Sequence, residues 1–224
     1  MGSLEILRDG FAYPFRENGR MVLIWGAILG VCSNLVSFLP FLGFFAGLIL
    51  AAYFCAIFFE VMITSASGSN DCIGFPSLSD LLDDLILPFF KVVVTALFSF
   101  APAILFAFST SEGGASGLIL LSLIGVGFIY LPMAILAVGI LGTFRGLLPH
   151  IVIPSILKAG GLYWGIVGIL FMVYLIENYA LGFVSDVFIV GALISAFVSM
   201  LTLMINGRLL GLLYCNKEEE LEWI

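Results

Sequence analysis

Charge is what this chain has least of. Only 10% of its 224 residues are Asp, Glu, Lys or Arg, and there is a single histidine, His150. Soluble domains carry about 25% charged and about 45–50% apolar residues. Here the apolar share is 62% and the mean hydropathy +1.22. So little charge excludes a water-soluble domain, because too much apolar surface would face water. Catalytic signatures are missing too: no H-E-x-x-H, G-x-S-x-G or phosphate-loop motif occurs. In "GGASG" (113–117) the serine comes one place too late for a nucleophile elbow. Haem or metal redox chemistry would need ligands the chain lacks. The four cysteines, Cys32, Cys55, Cys72 and Cys215, have no metal-site spacing, and Cys32 and Cys55 read as buried free thiols. No catalytic residue, metal ligand, cofactor or nucleic-acid partner is expected.

What the chain has is long uncharged runs. A spanning helix needs about 20 mostly apolar residues. Over 21–59 no charge occurs, and one helix of that length would reach about 58 Å, twice the hydrocarbon thickness. The chain must turn, and "FLPFLG" (38–43) is the place, since Pro40 withdraws a donor and disfavours helix before it. The spans predicted are about 21–38, 41–59, 92–111, 117–140, 159–176 and 187–207. The fold class is all-α: a polytopic integral membrane protein of six transmembrane helices arranged as three hairpins. Residues 1–20 form an interfacial N-terminal segment, 74–90 and 145–158 interfacial amphipathic helices, and 215–224 an acidic tail. The whole chain is one transmembrane domain. A cleaved signal peptide is not expected, because no small-residue cleavage site separates the first two apolar runs.

Six spans place all eight Lys and Arg on one side: Arg8, Arg16, Arg20, Lys91, Arg145, Lys158, Arg208 and Lys217. The opposite side keeps only Glu112, Glu177 and Asp186. The basic side is expected to be cytoplasmic, with both termini there. Glu60, Lys91, Glu177 and Arg208 read as boundary residues that snorkel to water. A proline followed by a base precedes each hairpin, in "YPFR", "LPFFK" and "IPSILK", a weak threefold pattern.

The stretch "GFPSLSDLLDDLILPFFK" (74–91) puts three acids in a leucine-rich run. At about 100° per residue, Asp80, Asp83 and Asp84 share one face and the leucines the other, an interfacial helix. Ser77 can cap it, with Asp80 three residues on; Pro88 ends or kinks it. The carboxylates are either solvated, or paired with bases such as Arg145 and Lys158 or a partner protein's, or ligands of a divalent cation. Pro102 and Pro132 read as packing kinks, although paired broken helices also mark transporter sites. Close helix approach is expected at Gly26/Gly30, Gly43/Gly47 and Gly207/Gly211; further Gly-x-x-x-Gly pairs stand at 113/117, 142/146 and 161/165. Tyr163, Trp164 and Trp223 fit interface anchoring.

"LPFLGFFAGLILAAYFCAIFFEVM", "GFPSLSDLLDDLILPFFKVVVTALFSFAPAIL", "YLPMAILAVG" and "NGRLLGLLY" together resemble the prokaryotic membrane family called domain of unknown function 4013, itself distantly similar to Yip-type membrane proteins. This chain has Leu78 where the family often shows tryptophan. The resemblance implies a small multi-pass protein of the prokaryotic inner membrane with no assigned activity. Three functions are open. The first is a non-enzymatic scaffold or accessory subunit, with membrane lipids and either its own copies or other membrane subunits as partners. The second is a small transporter or channel using the kinks in helices 3 and 4, and the third a lipid-handling protein.

Overall fold

The computed structural model describes residues 2–36, 40–69, 82–109, 114–184 and 188–223, and all of the regular structure described is helical. Helix α1 (Ser3–Ala12) opens with the Gly2 N–H donating to the Glu5 carboxylate at 2.9 Å, a first-turn cap supplied by Glu5 alone. A 3-10 turn (Tyr13–Phe15) leads to α2 (Glu17–Val36). Pro40 is the first residue of α3 (Pro40–Ala66), a position that wants no N–H donor. A wide π turn (Leu82–Ile86) runs directly into α4 (Leu87–Ser109), followed by α5 (Gly114–Leu141). After a 3-10 turn (Phe144–Leu147) come α6 (Pro149–Val184) and α7 (Phe188–Leu221).

Five helical stretches are long and apolar enough to cross a membrane: Gly43–Ala66, Leu82–Ser109, Gly117–Leu141, Pro149–Tyr179 and Gly191–Leu221. The chain therefore has the build of a multi-pass membrane protein. The apolar part of α2, Gly19–Cys32, is shorter. Pro88 directly follows the π turn, inside one helical stretch that runs Leu82–Ser109, so no helix ends at it. Within α6 the backbone breaks at Gly160 (φ 57, ψ −137), a conformation open to glycine and strained elsewhere. This separates a short helix holding Pro154 from the apolar length that follows. Residues 74–81, which hold Ser77, Leu78 and Asp80, lie outside the described residues, as does Cys72.

Helix α7 is the hub. It packs against α3, α6, α2 and α1, while α4 and α5 pack chiefly on each other. Some 44% of the α7 span is buried, against 17% for α4 and for α5, whose other faces are left for lipid. Glycines set the close approaches. A Cβ on Gly26 would meet Met200 Sδ at 2.8 Å, and one on Gly30 would meet Ala196 Cβ at 2.6 Å, so α2 lies tight on α7. On the α3 side, a Cβ on Gly207 would be 3.1 Å from the Phe58 carbonyl, and one on Gly211 2.3 Å from that of Met62. Gly43 is buried in α3, whereas a Cβ on Gly47 would meet nothing within 4 Å.

The largest core cluster gathers Met62, Met133, Leu136, Tyr163, Leu209 and Leu213 with their neighbours. Tyr163 is fully buried and its hydroxyl donates to the Ile129 carbonyl, so it is a core residue and no interface anchor. Trp164 is 52% exposed. Cys32 is exposed and Cys55 half-buried, so only partial shielding replaces the burial expected of both thiols. The acidic tail is no free tail. Helix α7 continues to Leu221, Trp223 stacks on Tyr214 with ring centroids 5.5 Å apart, and its indole N–H donates to Ser155 Oγ at 2.9 Å.

Gly211→Ala is expected to push α7 off α3 and lower stability by about 1–3 kcal/mol, the usual cost of overpacking. Gly47→Ala, in open space, is expected to be neutral or slightly stabilising. Unfolding by sodium dodecyl sulfate in mixed micelles compares the two.

Candidate functional site

Near the C-terminal part of α7 sits a charged side chain with almost no contact with solvent. Arg208 is 1% exposed, the largest side chain among the fully buried ones. It does not snorkel; its partners come to it. Its Nε and Nη2 both donate to Asp9 Oδ2, at 2.9 and 2.6 Å. Its Nη1 donates to Ser65 Oγ at 3.1 Å and to the Ser69 carbonyl at 2.8 Å. The Tyr13 ring lies 4.9 Å from the guanidinium carbon, a cation–π contact worth about 0.5–2 kcal/mol. Arg16 closes the group by donating to Asp9 Oδ1. The local sequence makes this possible. Gly10, next to Asp9, lets α1 come so close that a Cβ there would be 2.6 Å from Leu209 Cδ2. Burial by itself would raise the Asp9 carboxyl. The hydrogen bond and charge of Arg208, with Arg16 behind them, outweigh it and hold the carboxyl below the ordinary carboxylate range.

This cluster fixes α1, α3 and α7 to one another. In the sequence Arg208 reads only as a boundary residue, and Asp9 does not stand out at all. A second fastening lies on α6. Lys158 donates to Glu222 at 2.9 Å. It thus meets the C-terminal segment, while Asp80 lies outside the described residues. Arg145 is exposed in its 3-10 turn, and Tyr130 ties that turn to α5 by donating to the Leu147 carbonyl. His150 is exposed. Of the aspartates, Asp83 is exposed and Asp84 half-buried. Both line a recess of about 340 Å³ with Thr64, Pro88 and Glu60, an acid of α3. Among the described residues, no three His, Cys, Asp or Glu are grouped so as to hold a metal ion.

The chemistry inside the helices is of another kind. A cavity of about 520 Å³ lies between α5, α6 and α7, walled by Phe128, Pro132, Trp164, Phe171 and Asn206. A neighbouring cavity of about 320 Å³ shares Phe58, Ile135 and Asn206 with it. Ser199, Thr202 and Asn206, at helical spacing on α7, line this second space, and Ser199 Oγ donates to Glu177 of α6 at 2.7 Å. Glu177 is thereby engaged with α7 and is more than a boundary marker. The Asn206 side-chain carbonyl is buried with no hydrogen-bond partner, an arrangement that costs about 1–3 kcal/mol. Pro132 borders the larger cavity and, having no N–H, leaves the Phe128 carbonyl without its usual donor. Pro102 is on the exposed side of α4 and borders neither cavity. The two kink prolines therefore do not converge on one space.

Comparison with family models, with curated proteins and with solved structures finds no match to this chain.

Because the native Asp9 carboxyl binds its proton less readily than in the unfolded chain, its contribution to docking is present above the ordinary value of about 3.9. It is lost as pH falls through the lower folded value. Protease cleavage within residues 1–16 is expected to stay slow from pH 7 down to about pH 4 and to accelerate below. Asp9→Asn, which takes this carboxylate away from buried Arg208, is expected to lose about 3–5 kcal/mol and to be cleaved fast at every pH.

Proposed function

We propose that the protein is a non-enzymatic accessory or scaffold subunit of a membrane complex, with six spans of which α2 is the first. Its basic side and both ends face the cytoplasm of a prokaryotic cell. Membership of the domain of unknown function 4013 family is part of this proposal and rests on the four sequence stretches that resemble it. The observation that carries the role is the unequal use of glycine. Gly26, Gly30, Gly207 and Gly211 are all filled by atoms of this chain within 3.1 Å of a built Cβ. On α6, Gly161 and Gly165 lie on one exposed face, and a Cβ on either would meet nothing within 4 Å. Small residues at this spacing serve helix-to-helix approach in lipid, and among the described residues no helix of this chain uses the face. A second copy or another membrane subunit supplies it. A second reading, lipid handling, is favoured by the cavity between α5, α6 and α7.

Native mass spectrometry of the full chain released from nanodiscs tests the assembly. The wild type is expected as an oligomer or with a copurifying subunit. Gly161→Leu combined with Gly165→Leu is expected to give the monomer, its melting transition unmoved because no internal contact is crossed. A monomeric wild type with no partner sinks the scaffold reading.

A further inference from the structure

The smaller of the two cavities, about 320 Å³, is lined by α3, α6 and α7, with Val92 of α4 and Ile135 of α5. Its polar side holds Glu177 of α6 with Ser199 and Thr202 of α7, and its apolar side includes Phe54 and Phe58 of α3. Ser199 and Thr202 stand at the spacing that shares one helix face. The hydrogen bond from Ser199 Oγ to Glu177 Oε1, 2.7 Å, holds the carboxylate against that wall. Glu177, Ser199 and Thr202 are all half-buried, so the wall is accessible to a ligand. Among the described residues Ser199 is the only partner of Glu177, which leaves the second carboxylate oxygen without a donor and the charge without a base. Lys91, next to Val92 in sequence, does not line the cavity; its ammonium lies 5.8 Å from the Phe59 ring centroid. Nor does Glu177 point to the nearer end of α6. Helical side chains lean toward the N-terminus, here back into the span. Its partner Ser199 is about 12 Å along the axis from Gly191, where the apolar length of α7 begins.

We propose that this cavity binds a monovalent organic cation, a primary ammonium on a small apolar body. The ammonium donates to Glu177 and to Thr202 Oγ1, and the body packs against Phe54 and Phe58. The inference goes beyond the scaffold and lipid-handling readings and depends on neither. A carboxylate within a span is costly without a partner, and an ammonium brings both the opposite charge and the donors that Glu177 lacks. Aromatic walls attract a cation as well as an apolar body. The volume is at the small end of ligand sites, room for one ring and a short chain. An anion meets the charge of Glu177 itself. A hard divalent ion takes about six oxygens or more, and this wall offers one carboxylate and two hydroxyls. The ammonium of a phospholipid carries a phosphate beside it, again a negative charge next to Glu177.

The test uses the full chain in phosphatidylcholine nanodiscs, whose neutral surface does not concentrate cations. The probe is a benzylammonium carrying a trifluoromethyl diazirine on its ring, and labelled peptides are located by mass spectrometry. Labelling is expected in α3 around Phe54 and in α7 around Leu203. 2-Phenylethylammonium is expected to displace the probe at a concentration at least about tenfold below that of 2-phenylethanol, the worth of a charged hydrogen bond. 3-Phenylpropionate is expected to displace nothing. Glu177→Gln keeps the size and an acceptor for Ser199, and is expected to abolish the preference of amine over alcohol. Thr202→Val is expected to weaken displacement by the amine severalfold. Equal displacement by the alcohol, or a preference that survives Glu177→Gln, overturns the cation site. Labelling confined to other helices, or none, overturns it as well. The displacement arms use the wild type alone, so they decide the question even where Glu177→Gln folds poorly.

Discussion

A guanidinium cannot be left unpaired inside a bundle of apolar helices, and most of this architecture follows from where Arg208 is. Its desolvation is costly unless several partners converge, and the chain recruits them from three separate segments: Asp9 from α1, Ser65 and Ser69 from α3 and the turn after it, and the ring of Tyr13. Each of those partners must be brought within reach, which requires the close helix approaches that Gly10, Gly207 and Gly211 permit. The charged group and the glycines are thus one device. Removing the glycine spacing would strand the ion, and removing the ion would leave α1 held by the packing of Ile6 and Leu7 alone.

Glycine does two opposite things here. Toward α7 it lets backbone meet backbone. On α5 and α6 it leaves room that nothing described in this chain fills, at Gly125 beside the cavity and at Gly161 and Gly165 on the outer face. The backbone break at Gly160 adds a third use, letting one stretch of chain change direction where Val152 and Ala159 have already packed a short helix against the core. An acyclic residue with a side chain could serve none of these places as well.

The multi-pass class and several boundaries are legible in the sequence, because lipid imposes its length on any helix that crosses it. Runs without charge and the position of Pro40 carry that information. The buried cluster is not legible, for a physical reason. A helix apolar all round, such as α5, shows no polar side from which to tell a neighbour-facing position from a lipid-facing one, and the polar stripe of α7 does not say which neighbour it meets. Arg208 therefore looks the same in sequence whether it reaches water or Asp9. Tyr163 misleads in the same way, since an amphipathic ring suits a membrane surface or a buried carbonyl equally. Periodicity places the aspartates on their own helix alone, and what faces Asp83 and Asp84 across the recess is Glu60 of α3, a relation no periodicity contains. Asn206 gives a signal of a kind, a lone amide in an apolar run, but whether it is satisfied depends on the neighbouring helices.

The partners in the clasp are 199 residues apart, nearly the whole chain. During synthesis the segment that emerges first has its carboxylate ready long before the helix that needs it exists. Until α7 is in place, Asp9, Arg16 and the ring of Tyr13 can only wait at the surface, and α2 and α3 present glycine-lined and serine-lined faces to nothing. Completion of α7 is thus the event that closes the clasp, and until then α1 stays accessible.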